Sequence, residues 1–409
     1  MASRLVATPP RSTLLTDFVS HEGLPVMAQP GPLSGITIVD LSRILAGPYC
    51  TLLLAELGAR VIKVEPPRQG DDARHYGPFK NGKSTYFASV NRGKESIALD
   101  LKSPVGRDIF ERMLDKADAL VENFRPGTME KLGFGWDSLH PRYPRLIYAA
   151  ASGFGHSGPY SNYPAYDMVV QGLGGIMSIT GHPGMPPTRI GTSIGDLAGG
   201  LYAAVALNAA LLHRERTGEA TKVDIALFDC QLALLENAIM RYTTTGEIPG
   251  PMGARHPSIT PFEAFHTKDG HLIIAAGNDG LFVKLAHALD RADLAENPLF
   301  ETNDLRNRHQ EALRTEIEGV LRTAGTEHWI GVLEAAGIPC GAINNVAQAI
   351  AHPQAAARNM VISVDDPITG PLKLVGNPMK LSGFADPPTR SPAPDLDADR
   401  DAILRELGL

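Results

Sequence analysis

GITIVDLSRILAGPYCTLLLAELGARVIKVE, residues 35–65, decides the fold. Gly35–Asp40 is a short apolar run that predicts a buried strand. Gly47–Leu57 predicts a helix with Pro48 in its first turn, where a missing N–H costs nothing. Gly58 ends that helix, and Ala59–Glu65 returns as a second apolar strand. Strand, helix and strand within some thirty residues make a βαβ unit. Working outward, Ser96–Leu99, Ala119–Val121, Leu146–Ala150 and Lys222–Leu227 predict further strands. Val105–Lys116, Asp196–Glu215 and Phe228–Tyr242 predict helices between or after them. Such alternation implies an α/β, Rossmann-like architecture with a mostly parallel sheet covered on both faces. Phe262–Ala276 alternates as a hairpin about Lys268-Asp269-Gly270, helices follow over 280–336, and 337–385 reads as short strands and turns. Residues 386–397 read as a solvated crossing before a last helix at Ala402–Leu407.

The chain has 409 residues, enough for two or three domains, and 43% of them are hydrophobic. A net charge of −7 gives no basic footprint for nucleic acid. The three cysteines (Cys50, Cys230, Cys340) form no CxxC and no metal-ligand spacing, which suits a reducing, cytoplasmic setting. The longest apolar stretch, Leu197–Leu212, is broken by Gly199, Gly200 and Asn208 and reads as a core helix, not a membrane span. Residues 1–33 carry five prolines and no period, and read as a flexible extension.

The first strand–helix turn, Leu41–Pro48, lacks GxGxxG, so a dinucleotide cofactor is disfavoured. Ala46-Gly47 can still receive a ligand at a helix start. Glu122–Gly127 (ENFRPG) sits where a strand ends, a position suited to a polar ligand edge, although Asn123 could equally cap a helix. The densest region is 152–196, rich in glycine, with Asp167, Arg189 and Asp196. Asp167 precedes an apolar segment and can be a helix cap or a nucleophile, and Asp196 reads as the N-cap of the helix after it. His140, His156 and His182 are possible proton carriers. HExxH, GxSxG and P-loop motifs are absent.

Residues 35–65 together with GDDAR, NRGKESIALDLK, VENFRPGTMEKLGFG, ASGFGHSGP, AYDMVVQGLGG, TGHPGMPPTRIG, AGND and AGIPCGAINNV, in that order, resemble the class III coenzyme A transferases. The likeness runs over about 33–385. It implies a large Rossmann-like domain built from both chain ends (34–225 and 340–409), a linker at 226–257 and an inserted smaller α+β domain at 258–339. It also implies two ring-like protomers interlocked as a homodimer. By position, Arg43, Ile44, Leu45 and Ala46 match a CoA-lining turn, and Asn123 with Phe124 the pantetheine and adenine path. Thr128 and Lys131 match the next helix, with Arg74 as a further CoA contact and Tyr76 as a substrate gate.

The implied substrates are an acyl-CoA, such as succinyl-CoA, and a short dicarboxylic acid of the itaconate, glutarate, malate or mesaconate type. Arg189 would pair with the distal carboxylate. No permanent cofactor or metal, and neither nucleic acid nor membrane, is expected. Leu45 stands where formyl-CoA transferases carry glutamine, and Pro66 where they carry an arginine, which weakens an oxalate-specific reading. The attacking aspartate is expected in a TG-x-x-D turn before a PP pair, but in Thr180–Pro187 that position is Gly184. Asp167 is then the expected nucleophile. Two alternatives stay open: an α-methylacyl-CoA racemase using Asp167 with a histidine, and a CoA-binding subunit with little activity alone.

Overall fold

The structure is a computed structural model and describes residues 30–409. The expected extension at 1–33 lies outside these residues except for its last four. Of those, Leu33 donates its N–H to Leu57 O at 2.9 Å and packs on the core.

Six strands form the main sheet: β1 (Thr37–Asp40), β2 (Arg60–Glu65), β3 (Glu95–Ala98), β4 (Ala119–Glu122), β5 (Ile147–Ser152) and β6 (Lys222–Ala226). Their order is β3-β2-β1-β4-β5-β6, and every neighbouring pair is parallel. Each strand sends alternate side chains to opposite faces, so both faces need covering. Ile38, Val61, Ala119 and Val223 pack under helices α1 (Ala46–Glu56) and α4 (Ile194–Thr217). Val39, Ile62, Ile97 and Leu120 pack under α2 (Pro104–Leu114) and the last helix, α5 (Arg400–Glu406). Among the described residues α4 alone is long and apolar enough to cross a membrane, but Ala203, Leu207 and Leu211 are core residues of the sheet face.

Helices α1 and α4 approach closely because Gly200 has no side chain. A Cβ there would stand 2.6 Å from Ala46 O and 3.0 Å from the Tyr49 ring. The helix expected over Phe228–Tyr242 is two helices, Leu227–Leu234 and Glu236–Thr245, broken at Leu235.

Residues 262–342 build a core of their own. Strands β7 (Phe262–His266) and β8 (His271–Ala275) pair antiparallel about the expected hairpin, and β9 (Cys340–Ala342) adds to β8. Helices between Asp279 and Ala335 cover this sheet with Phe282, Leu313, Ile317 and Leu333. The sequence reading starts the return to the large unit at 340, yet Cys340–Ala342 still belongs to this small sheet. Beyond it, Val346–Ala351 and Pro353–Ala357 are helices where only strands and turns were expected. The first is started by a reciprocal Asn345/Gln348 capping box.

The C-terminal segment is sewn to the first sheet. Glu56 takes Arg92 and Arg390, both at 2.9 Å, and Arg60 pairs with Glu406 at 2.7 Å. Strand β3 lies at the sheet edge. Its outward N–H groups on Ser96 and Ala98 donate to Asp399 at 2.8 Å and Asp397 at 2.7 Å.

Candidate active site

The site forms where the carboxyl ends of β1 and β4 meet the start of α4, the place where a parallel sheet of this kind takes ligands. One cavity of about 280 Å³ is lined by Ile44, Ala46, Asn123, Arg125, Tyr166 and Asp196, among others. A second of similar volume is lined by Ser42, Pro66, Leu99, Lys102 and Leu132. Arg43 and Phe124 line both. They therefore form the wall between the two spaces, with the Arg43 guanidinium 5.4 Å from the Phe124 ring centre.

The turn after β1 is held from every side. Asp40 accepts from the Ser42 N–H and hydroxyl and from Lys94. Fully buried Lys63 donates to Ser42 O at 2.7 Å and pairs with Asp71 at 2.8 Å. Asp71 accepts the Ile44 N–H at 3.0 Å, and Arg43 and Asn123 exchange two hydrogen bonds at 2.7 and 2.8 Å. This clamp sustains Ile44 at φ 67°, a left-handed conformation that costs a β-branched residue about 1–3 kcal/mol. Burial opposes ionisation of Asp40, but Lys94 and Lys63 outweigh it and hold the carboxyl at about 2. Burial lowers Lys94 to about 8.

The two aspartates differ in what their oxygens do. Asp167 begins α3 (Asp167–Leu173), and both its oxygens are occupied. One accepts the Gly195 N–H at 2.8 Å, and the other accepts from Gln171 at 2.8 Å. Gly195 is in the first turn of α4, so Asp167 satisfies one of that helix's four orphan donors. Gln171 in turn takes the Ile190 N–H at 3.0 Å, fixing the loop that precedes α4. Asp196, also in the first turn of α4, is not its N-cap, which is Ser193. Asp196 is partly buried and lines the first cavity, and its carboxylate has no hydrogen bond among the described residues. Burial and the neighbouring Asp167 push Asp196 up to about 7. Tyr86 stands close enough to be raised to about 12, by burial and then by Asp196.

The other expected site residues fall into three groups. Arg43, Ile44, Ala46, Asn123 and Phe124 converge on the two cavities, and Leu45 is the N-cap of α1 beside them. Thr128 and exposed Lys131 lie on the neighbouring helix Thr128–Leu132, whose Leu132 lines the second cavity. Tyr76 is 43% exposed and packs edge-on to Tyr86 at 6.0 Å, while Arg189 is exposed and, among the described residues, bonds only Gly191 O. Arg74 departs from its expectation as a CoA contact. It forks onto both oxygens of buried Glu65 at 2.7 Å, donates to Pro394 O and stacks 3.8 Å over Phe87. Its donors are occupied in joining the 66–75 loop to the C-terminal segment.

Arg125 lies in the ENFRPG edge already singled out, whereas two other cavity residues, Tyr163 and Tyr166, carry no sequence signal beyond their glycine- and proline-rich surroundings. Lys63, Asp71 and Lys94 had one. A charge within an apolar strand or beside it is expensive to bury and implies a partner.

The sequence profile of CoA-transferase family III, by that description, matches residues 33–400. The chain belongs to that family. As a family III CoA-transferase it is 46% identical to an acetyl-CoA:oxalate CoA-transferase of Acetobacter aceti, over 92% of this chain and 96% of that one. It is 37% identical to a succinate–glutarate CoA-transferase of Agrobacterium fabrum, over 92% and 96%. A crystal structure of a CAIB/BAIF family protein from Brucella suis superposes with a TM-score of 0.81 at 40% identity, covering 93% of this chain and all of that one. The family III CoA-transferase therefore acts on CoA thioesters and carboxylates.

Proposed function

We propose that this enzyme exchanges CoA between a short acyl-CoA and a short dicarboxylate through Asp196. The observation that carries this reading is that Asp196 faces the cavity with free oxygens, whereas both Asp167 oxygens are bonded. An Asp196 oxygen attacks the thioester carbonyl carbon. The C–S bond breaks, giving a mixed anhydride and CoA thiolate. The thiolate attacks the Asp196 carbonyl, releasing the donor acid and leaving an aspartyl-CoA thioester. The acceptor carboxylate attacks that carbonyl and expels the thiolate. The thiolate then attacks the acceptor acyl carbon, which frees the new acyl-CoA and restores the Asp196 carboxylate. No proton is gained or lost overall.

The N–H groups of Ala46 and Gly47, the first two of α1, have no partner within the helix and suit an oxyanion at the cavity wall. Arg43, Arg125 and the exposed Arg189 are cations available to the distal carboxylate of an acceptor. In this reading Asp167 positions the start of α4 and sets the charge environment of Asp196.

Succinyl-CoA and acetyl-CoA, each incubated with oxalate, glutarate, mesaconate, malate and itaconate, test the substrate class. New acyl-CoA with stoichiometric free donor acid is expected for at least one pair. Asp196→Asn should lose roughly 10³-fold or more of the exchange, and hydroxylamine with acyl-CoA should modify the peptide bearing Asp196. Modification at Asp167 instead would overturn the assignment.

We also propose that the active form is a homodimer. Leu201, Val205 and Leu212 on α4 and Met168, Val169 and Leu173 on α3 are large apolar side chains left exposed, more than a lone chain ordinarily leaves on two adjoining helices.

A further inference from the structure

The last residue of β4, Glu122, is a buried carboxylate that the chemistry above does not use. Only 2% of it is exposed. One oxygen accepts the Phe124 N–H at 2.7 Å, and the other accepts the Tyr148 hydroxyl from β5 at 3.0 Å. On the same side His156, from the loop after β5, brings Nε2 to 3.8 Å, and that buried nitrogen has no hydrogen-bond partner among the described residues. The His156 Nδ1 meets Lys222 of β6 at 3.1 Å. An ammonium can only donate, so Nδ1 accepts and the ring proton sits on Nε2, facing Glu122. Asp224 of β6 fixes this loop by accepting the His156 N–H at 3.0 Å. Two donors from different segments thus converge on one carboxylate beside a buried imidazole, and the first of them belongs to Phe124.

We propose that Glu122 is a positioning residue for CoA: ionised, it holds the Phe124 turn in the shape that separates and lines the two cavities. The inference rests on the CoA-transferase reading of that site. Among the described residues Phe124 is the only one besides Arg43 that lines both cavities, so the tilt of this one peptide bears on the whole path. Burial pushes Glu122 up to about 7, against the hydrogen bonds from Phe124 and Tyr148. Glu130 from the neighbouring helix raises it further and Lys222 lowers it. Burial, and then Lys222, also push His156 below its ordinary value, which favours the neutral imidazole. Protonation removes the charge that makes the Phe124 hydrogen bond strong.

The test is calorimetric binding of CoA itself, which needs no turnover, by the wild type and Glu122→Gln between pH 6 and 8. Glutamine has the shape of the protonated acid. At pH 8 the variant should bind CoA about fivefold more weakly, the worth of roughly one hydrogen bond. At pH 6 the two proteins should converge. The titrations of the CoA phosphates and of Asp196 are common to both proteins and cancel in the ratio. Tyr148→Phe, which removes a donor to the charged form, should move the convergence to higher pH. A ratio that stays constant from pH 6 to 8, whether at one or at a fixed deficit, overturns the proposal. Failure of the wild type to bind CoA at any pH would instead remove the reading of the site on which it rests.

Discussion

A carboxylate that attacks a thioester must be ionised, yet Asp196 sits where ionisation is costly, partly buried and beside Asp167. The start of α4 offsets some of that cost through its dipole. The sign of the effect on stability follows from linkage. Asp196 is raised in the folded protein, so the native state holds its proton to higher pH than the unfolded chain does. Stability contributed by this group therefore falls as pH rises from about 4 towards 7 and stays reduced above it. Asp196→Asn should raise the melting temperature at pH 8.5, by the equivalent of on the order of 2–4 kcal/mol, and the gain should shrink towards pH 5. A gain of equal size at both pH values would mean the charge is not the cause. Asp167 and Asp196 look alike in sequence, each an acid ahead of an apolar helix. What separates them is which oxygens are already bonded, and that depends on Gln171 and Gly195, groups whose proximity only the fold creates.

At the scale of elements, β1 to β6 were legible because buried parallel strands are apolar on both faces and bounded by glycine or polar turns. Their observed limits differ from the sequence reading by one or two residues. The break at Leu235 was not legible, because Leu232–Leu235 is apolar and no glycine or proline marks a bend there. Arg74 shows the same limit: its residue type and position suit a phosphate, but Glu65 lies one strand end away and takes both donors. The contact of α1 with α4 is where packing reaches the site, since Ala46 both touches Gly200 and lines the first cavity. Gly200→Ala should force the helices apart, costing about 1–3 kcal/mol from overpacking. It should also raise KM for acyl-CoA, because Ala46 moves with α1. Loss of stability with an unchanged KM would separate the helix contact from the cavity.

Over the whole molecule, the family resemblance implies a large unit drawn from both chain ends, whereas all six strands of the main sheet lie within 37–226. What the C-terminal segment adds is Arg390 on Glu56, Glu406 on Arg60 and the covering helix α5. The small core at 262–342 was legible as a hairpin plus helices, and only its last strand was assigned elsewhere. The exposed apolar faces of α3 and α4 belong to this scale too. Light scattering should report the mass of two chains, and Val205→Glu should shift it towards one; a wild type of single-chain mass would remove the dimer proposal. The seam at the sheet edge also bears on synthesis. Asp399 and Asp397 follow their partners in β3 by 303 and 299 residues, and until they are made β3 presents bare N–H groups along an open strand. An unpaired edge is a template for another strand. The nascent chain thus carries an adhesive edge through the synthesis of everything between, and a chain lacking these two aspartates would keep that edge open permanently.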